Sequence, residues 1–164
     1  MVHDFPARTG DFENDPESLE GWFDEIHDYL NGFNTFTPTL TFATPGDLNV
    51  VYSTQVGFYR RLGKQIHCIG NLVTSTWTHS TASGNHRISG FPYAGRTGLT
   101  QIGSLAWDGI TKANYTQADI SMSGNTFVNV RMSGSGQNQF IATTAEMASG
   151  TQQTRYFNIT YFTD

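Results

Sequence analysis

From Phe36 onward, apolar and polar residues alternate with a period of two. Phe36-Thr37-Pro38-Thr39-Leu40-Thr41-Phe42 sets the pattern, and Leu48–Tyr52 and Val56–Tyr59 continue it. A period of two puts successive side chains on opposite faces of a strand. Residues 64–78 read as one long strand or a bent pair. The alternating set Ile66, Cys68, Gly70, Leu72 gives way to Val73 and Trp77, which suggests a bulge near Gly70. Further strands are expected over 99–107, 115–122, 126–132, 139–143 and 154–162. The last is rich in aromatic and β-branched residues. Between them lie turn signals: Pro45-Gly46-Asp47, Ser83-Gly84-Asn85, Asp108-Gly109, Ser123-Gly124-Asn125, Ser133–Gly136 and Ser149-Gly150. Many short strands with no helical period between them predict a mainly β fold. An antiparallel β-sandwich of jelly-roll type is the expected architecture over 36–164.

Residues 1–35 follow another rule. Leu19, Trp22, Phe23, Ile26, Tyr29 and Leu30 recur at spacings of three and four, the stripe of an amphipathic helix. Asp15 is placed to cap it, Pro16 suits the first helical position, and Asn31-Gly32 supplies a left-handed stop. A helix over 15–30 is therefore expected, though Gly21 inside it weakens the pattern. The stripe has two open uses. It packs on its own domain, or it docks on a partner or on copies of itself.

Charge separates the two regions. Residues 1–30 carry nine carboxylates against Arg8, a net −8; the rest carry five carboxylates against eight Lys and Arg, a net +3. Together they give the overall −5. The acidic end disfavours nucleic acid, whose phosphates would repel it. Only 14% of residues are charged, against about 25% in an average soluble domain, while aromatics reach 13%. Such an aromatic share argues against a disordered chain. No apolar run approaches the ~18 residues of a membrane helix, and no apolar core of a secretory signal is visible at the start. The single cysteine, Cys68, excludes an internal disulfide and a paired-cysteine zinc site.

One phrase resembles a known family. It runs Tyr52, Gln55, Gly57, Tyr59 and Gly63, then Gly84, Ile88, Gly90, Phe91, Pro92 and Tyr93. This spacing is similar to a pattern found in virion surface proteins of tailed bacteriophages, both capsid decoration (cement) proteins and tail-fibre or spike tips. The resemblance implies a β-sandwich homotrimer on the outside of a virion. The leading expectation is a decoration protein that stabilises the head by bridging capsomers, with the major capsid protein as partner. The alternative is a tail-fibre tip that attaches to a tail protein and recognises a host surface glycan. Either way, the glycines and Pro92 have an ordinary structural account: Gly57 and Gly63 at turns or bulges, Gly90–Pro92 closing a strand.

No catalytic signature stands out, so an enzyme is not expected. The β region offers Asp47, Asp108, Asp119, Glu146 and Asp164; only Asp108 with Asp119 is a conceivable acid–base pair, and Asp108-Gly109 reads first as a turn. There is no Gly-x-Ser-x-Gly elbow and no phosphate loop. No cofactor or metal is expected. His67 and Cys68 are neighbours on a strand and so face opposite ways. A threefold axis could gather three copies of His67, His79 or His86, but ordinary surface or interface histidines are the simpler reading. Trp77, Trp107, Tyr93 and Tyr115 are candidate glycan-stacking rings, with core or interface packing the stronger expectation. Deleting residues 1–35 is expected to leave 36–164 folded, as judged by circular dichroism, while abolishing attachment to the particle. An unfolded fragment would show instead that the helix belongs to the core.

Overall fold

The computed structural model describes residues 32–164. The helix expected over 15–30 and its stripe lie outside these residues. These residues form ten strands: β1 (Asn34–Phe36), β2 (Thr39–Thr44), β3 (Asn49–Leu62), β4 (Gln65–Thr78), β5 (Ser83–Ser89), β6 (Gln101–Asp108), β7 (Gln117–Met122), β8 (Phe127–Gly134), β9 (Gln137–Ile141) and β10 (Thr154–Phe162). Among the described residues the one helical element is a short 3₁₀ turn at Thr144–Glu146.

All ten strands join one sheet in the order β1-β3-β4-β10-β6-β7-β8-β5-β2, with β9 added to β8. The pairings along it from β3 to β2 are antiparallel. The expected pair of sandwich sheets is thus a single sheet curled on itself, and its strand order does not establish a jelly roll. The curl follows from connectivity. β1 and β2 stand at opposite ends of the order, yet only Thr37 and Pro38 separate them in the chain. Laid flat, eight strand spacings of about 4.8 Å would hold these edges roughly 38 Å apart. The short link reaches about 10 Å.

Curling gives the sheet one dry face. Ile66, Cys68, Leu72 and Thr74 of β4 point inward, as do Phe157, Ile159 and Tyr161 of β10. They meet Leu40 and Phe42 of β2, Ile88 of β5, and Val128, Val130 and Met132 of β8. Aromatic contacts bind opposite sides of the curl: Phe42 lies 5.4 Å from Trp77, and Phe91 lies 5.8 Å from Phe157.

Several boundaries differ from expectation, each for a local reason. The strand expected over 36–42 is broken by Thr37-Pro38, since Pro38 lacks the N–H needed to continue a ladder. The break expected between Tyr52 and Val56 is absent, and β3 runs through it with an irregularity at Ser53. The bulge expected at Gly70 lies instead at Ser75, where the buried positions of β4 shift from Thr74 to Trp77. Gly70 stays in register opposite Gly57 and Phe157, and a Cβ there would overlap the Phe157 ring. Strand β5 begins inside the expected turn Ser83–Asn85. Its polar sequence hid it, because its partners β2 and β8 are distant in the chain.

The interior also holds a buried arginine and a buried histidine. Arg155 donates from Nη1 to the carbonyls of Asp108 at 2.5 Å and Thr154 at 2.6 Å, and from Nη2 to Gln153 Oε1 at 2.9 Å. Burial pulls its pKa down to about 9. His86 Nδ1 sits 3.1 Å from the Thr41 carbonyl, so that nitrogen carries the proton in the neutral ring. Burial, then the Arg155 charge, holds the His86 pKa well below the ordinary histidine range. His86 is therefore neutral when folded and takes up a proton near pH 6.5 when unfolded. A depressed histidine pKa contributes stability that is present above about pH 6.5 and lost as pH falls below it. Thermal unfolding should move down by several degrees between pH 7.5 and 5.5. His86→Asn, which keeps a donor for Thr41, should flatten that slope; an equally steep slope in the variant would contradict the assignment.

Candidate functional site

The residues of the sequence phrase gather at the place where the sheet closes. Tyr52, Gln55, Gly57 and Tyr59 occupy the inward side of β3, facing the Phe36–Leu40 segment that carries the chain from one edge to the other. The Leu40 amide donates to Tyr52 Oη at 2.6 Å. Gln55 Nε2 donates to the Pro38 carbonyl at 3.0 Å. Gly57 leaves room for the link, since a Cβ there would come within 2.7 Å of both the Phe36 ring and Pro38. Gly57 is therefore mid-strand, not at a turn or bulge. Tyr59 packs edge-on against Phe36 and Tyr93, with centroids 6.4 and 5.9 Å away.

The second half of the phrase closes on the link from the other side. Ile88 is fully buried opposite Leu40. Gly90 follows β5 with φ +89°, and a Cβ there would overlap the Thr37 carbonyl. Phe91 lies 5.4 Å from Phe36. Pro92 is half-buried beside Tyr93, whose carbonyl accepts from Tyr161 Oη at 3.0 Å and whose ring lies 4.7 Å below the Arg61 guanidinium. Gly63 makes the β3–β4 turn with φ +58°, and Gly84 sits against Ala43 with φ +80°. Every residue of the phrase thus has a structural task, and most serve the closure.

The chemical candidates are scattered. Asp108 Oδ1 accepts from the Gly109 amide at 2.8 Å, the expected turn. Asp119 lies opposite Ser104, four residues along β6 from Asp108, and about 13 Å away by strand rise. Its Oδ1 accepts from Arg131 Nε at 2.6 Å. Asp47 ties two loops together by accepting from the amides and hydroxyls of Ser80 and Thr81, bonds that hold its carboxyl below the usual range. Glu146 pairs with Lys112 at 3.0 Å, and Asp164 accepts from Thr97. Burial raises the Cys68 thiol to about 12, which leaves it protonated and unreactive.

His67 contacts Thr160 Oγ1 at 2.9 Å on the outer side of the sheet, opposite to Cys68. His79 reaches the Met147 carbonyl, and His86 is interior. No group of three potential metal ligands occurs among the described residues. Of the aromatic candidates, Trp77 is buried, and Trp107, Tyr93 and Tyr115 are half-buried. Tyr115 donates to the Asn138 carbonyl and meets Phe140 edge-on.

Sequence reasoning missed the outer face of β3, β4, β10 and β6. Phe58, Ile69, Asn158 and Ser104 stand in one cross-strand row there, and Val56, Asn71, Tyr156 and Ala106 in the next. These side chains are exposed. Beside Asn158 a shallow groove of about 480 Å³ runs over Ile102, Ser104, Ala118, Asp119 and Thr160. The signal was available in β10, which sets Tyr156 and Phe162 on the face opposite to Phe157, Ile159 and Tyr161.

Among solved structures, the Dettilon tailspike protein has a similar fold, with a TM-score of 0.58 at 17% sequence identity. The match covers 79% of this chain and 23% of the tailspike chain, so the chain corresponds to about a quarter of that protein's length. No family model matches the sequence. No curated protein matches it either.

The closure residues should carry stability. Tyr52→Phe removes the acceptor for the buried Leu40 amide and should cost about 1–3 kcal/mol in urea denaturation. Gly57→Val should prevent a stable fold, because the link has nowhere to move. Wild-type midpoints in both variants would show that the phrase does not hold the seam.

Proposed function

We propose that the chain is a structural protein of a phage virion, carried on the tail side as part of a spike or fibre tip. The likeness of its fold to the Dettilon tailspike protein carries this reading. The sequence phrase supports it, since the same spacing belongs to virion surface proteins. The chemistry agrees: the phrase residues close a stiff curled sheet, and the five carboxylates of residues 31–164 make turns, loop ties and ion pairs.

In this role the β unit is a rigid display element. Residues 1–35 supply attachment to a tail protein, and a host surface glycan is the external ligand class. The tail placement is preferred to the head-decoration role because the fold likeness is to a tail component. Quantitative mass spectrometry of purified virions, with gold-labelled antibody imaging, tests it. A few dozen copies or fewer, located at the tail, are expected. Hundreds of copies spread over the head would favour the decoration role.

A further inference from the structure

The positive charge of residues 31–164 is gathered at one end of the sheet. Of their eight Lys and Arg, four are used within the fold. Arg155 is buried, Lys112 and Arg131 pair with Glu146 and Asp119, and Arg87 lies over the Phe127 ring. The other four, Arg60, Arg61, Lys64 and Arg96, meet around the β3–β4 turn. The Thr163 amide donates to the Lys64 carbonyl at 3.0 Å, and the Arg96 amide donates to the Phe162 carbonyl at 2.7 Å, so the end of β10 ties both segments together. Arg61 Nε donates to the Gly63 carbonyl at 2.8 Å, which fixes its guanidinium beside the turn. One carboxylate faces this group, Asp164, in an exposed pair 3.9 Å from Arg96. Asp47 and Asp108 stand at the other ends of β3 and β10, the first before Asn49 and the second opposite Thr154. The same tip exposes apolar side chains. Leu62 and Phe162 share one cross-strand row through Gln65, and both are about half exposed. Leu99 is exposed in the segment between Arg96 and Gln101. Phe162 is firmly held: the buried Gln101 side chain accepts from its amide and donates to its carbonyl at 3.1 Å. The turn itself projects, since a Cβ on Gly63 would meet nothing within 4 Å.

We propose that this tip docks on an anionic lipid surface. The cations would lie at the headgroup phosphates, and Leu62, Phe162 and Leu99 at the boundary with the acyl chains. Charge and apolarity select this partner together. Interfacial binding adds the attraction of Lys and Arg for anionic headgroups to the burial of apolar side chains beside them. Long basic side chains suit such a boundary, because their stems lie along apolar material while the charged heads stay in water. A soluble polyanion would use the cations but would give Leu62 and Leu99 nothing apolar to meet. The charge is specific to the tip. Its four cations and Asp164 account for the whole net +3 of residues 31–164, while the other four cations and four carboxylates cancel. The contact is at the surface only and needs no membrane-spanning segment. The inference goes beyond the tail reading and does not rest on it.

Co-sedimentation of the full chain with vesicles tests this. Vesicles of equal parts phosphatidylglycerol and phosphatidylcholine should bind it, and vesicles of phosphatidylcholine alone should bind it about 10-fold more weakly or worse. Added salt should weaken the binding. Arg60→Gln together with Lys64→Gln should weaken it by about 25-fold, roughly 5-fold for each cation lost. Leu62→Ser should weaken it by about 5-fold or more. Val51→Ser, exposed near the other end of β3, should leave it unchanged. Should Leu62→Ser fail to fold by circular dichroism, Leu62→Cys carrying a polarity-sensitive dye decides, since the native Cys68 is buried and escapes labelling. The dye emission should rise on the anionic vesicles and stay level on phosphatidylcholine. Absence of binding to the anionic vesicles at low salt would overturn the proposal, as would binding that ignores Leu62→Ser or a dye that does not respond. Equally tight binding to soluble alginate, lost in the cation variant but kept in Leu62→Ser, would overturn it in favour of an acidic polysaccharide.

Discussion

The two-residue link between β1 and β2 is the constraint on which the fold depends. A strand at each end of a nine-strand path cannot be joined by Thr37 and Pro38 unless the sheet curls until its edges meet. Curling creates the single dry interior and leaves the other face outside. It also forces the link to cross above β3 at close range. That crossing explains why Gly57 must lack a side chain, why Gly90 carries a positive φ beneath Thr37, and why Tyr52 and Gln55 reach up to polar groups of the link. The backbone around Pro38 leaves the ordinary ladder, and the Leu40 amide and Pro38 carbonyl are satisfied by the Tyr52 and Gln55 side chains instead.

The interior shows a second consequence. A closed curl buries whatever occupies the inward positions, polar or not. Arg155 alternates with Phe157, Ile159 and Tyr161 and is carried inside by that register. Its cost is offset by carbonyl acceptors from Asp108 and Thr154 and by Gln153, which is itself fixed by Thr74. The same register places Tyr156 and Phe162 in solvent. One strand thus carries a buried cation on its inner side and exposed rings on its outer side, and the two facts have a common origin.

Much of this was legible in the sequence. The period-two alternation from Phe36, most of the turn signals and the span of β10 follow from local rules that the structure obeys. The resemblance identified Tyr52, Gln55, Gly57, Gly90 and their neighbours as belonging together, but not why. Their shared purpose depends on a contact between residues 36–40 and residues 52–59 and 88–93, which no local pattern encodes. Strand β5 was hidden for the same reason, since SGNHRIS gains strand geometry only from β2 and β8. Trp77 and Tyr156 show the limit for site reading. Both are large aromatic residues on strands, and only the direction of the curl decides which is core and which is surface.

The central claim is that the link is held as firmly as the sheet it closes. Native-state hydrogen exchange measures this directly at the Leu40 amide, whose partner is the Tyr52 hydroxyl rather than a strand carbonyl. The account predicts that Leu40 exchanges only through global unfolding, with the same free energy as the amides of Ile66 and Leu72 in β4. Exchange of Leu40 at the rate of an exposed loop amide, while β4 remains protected, would contradict it.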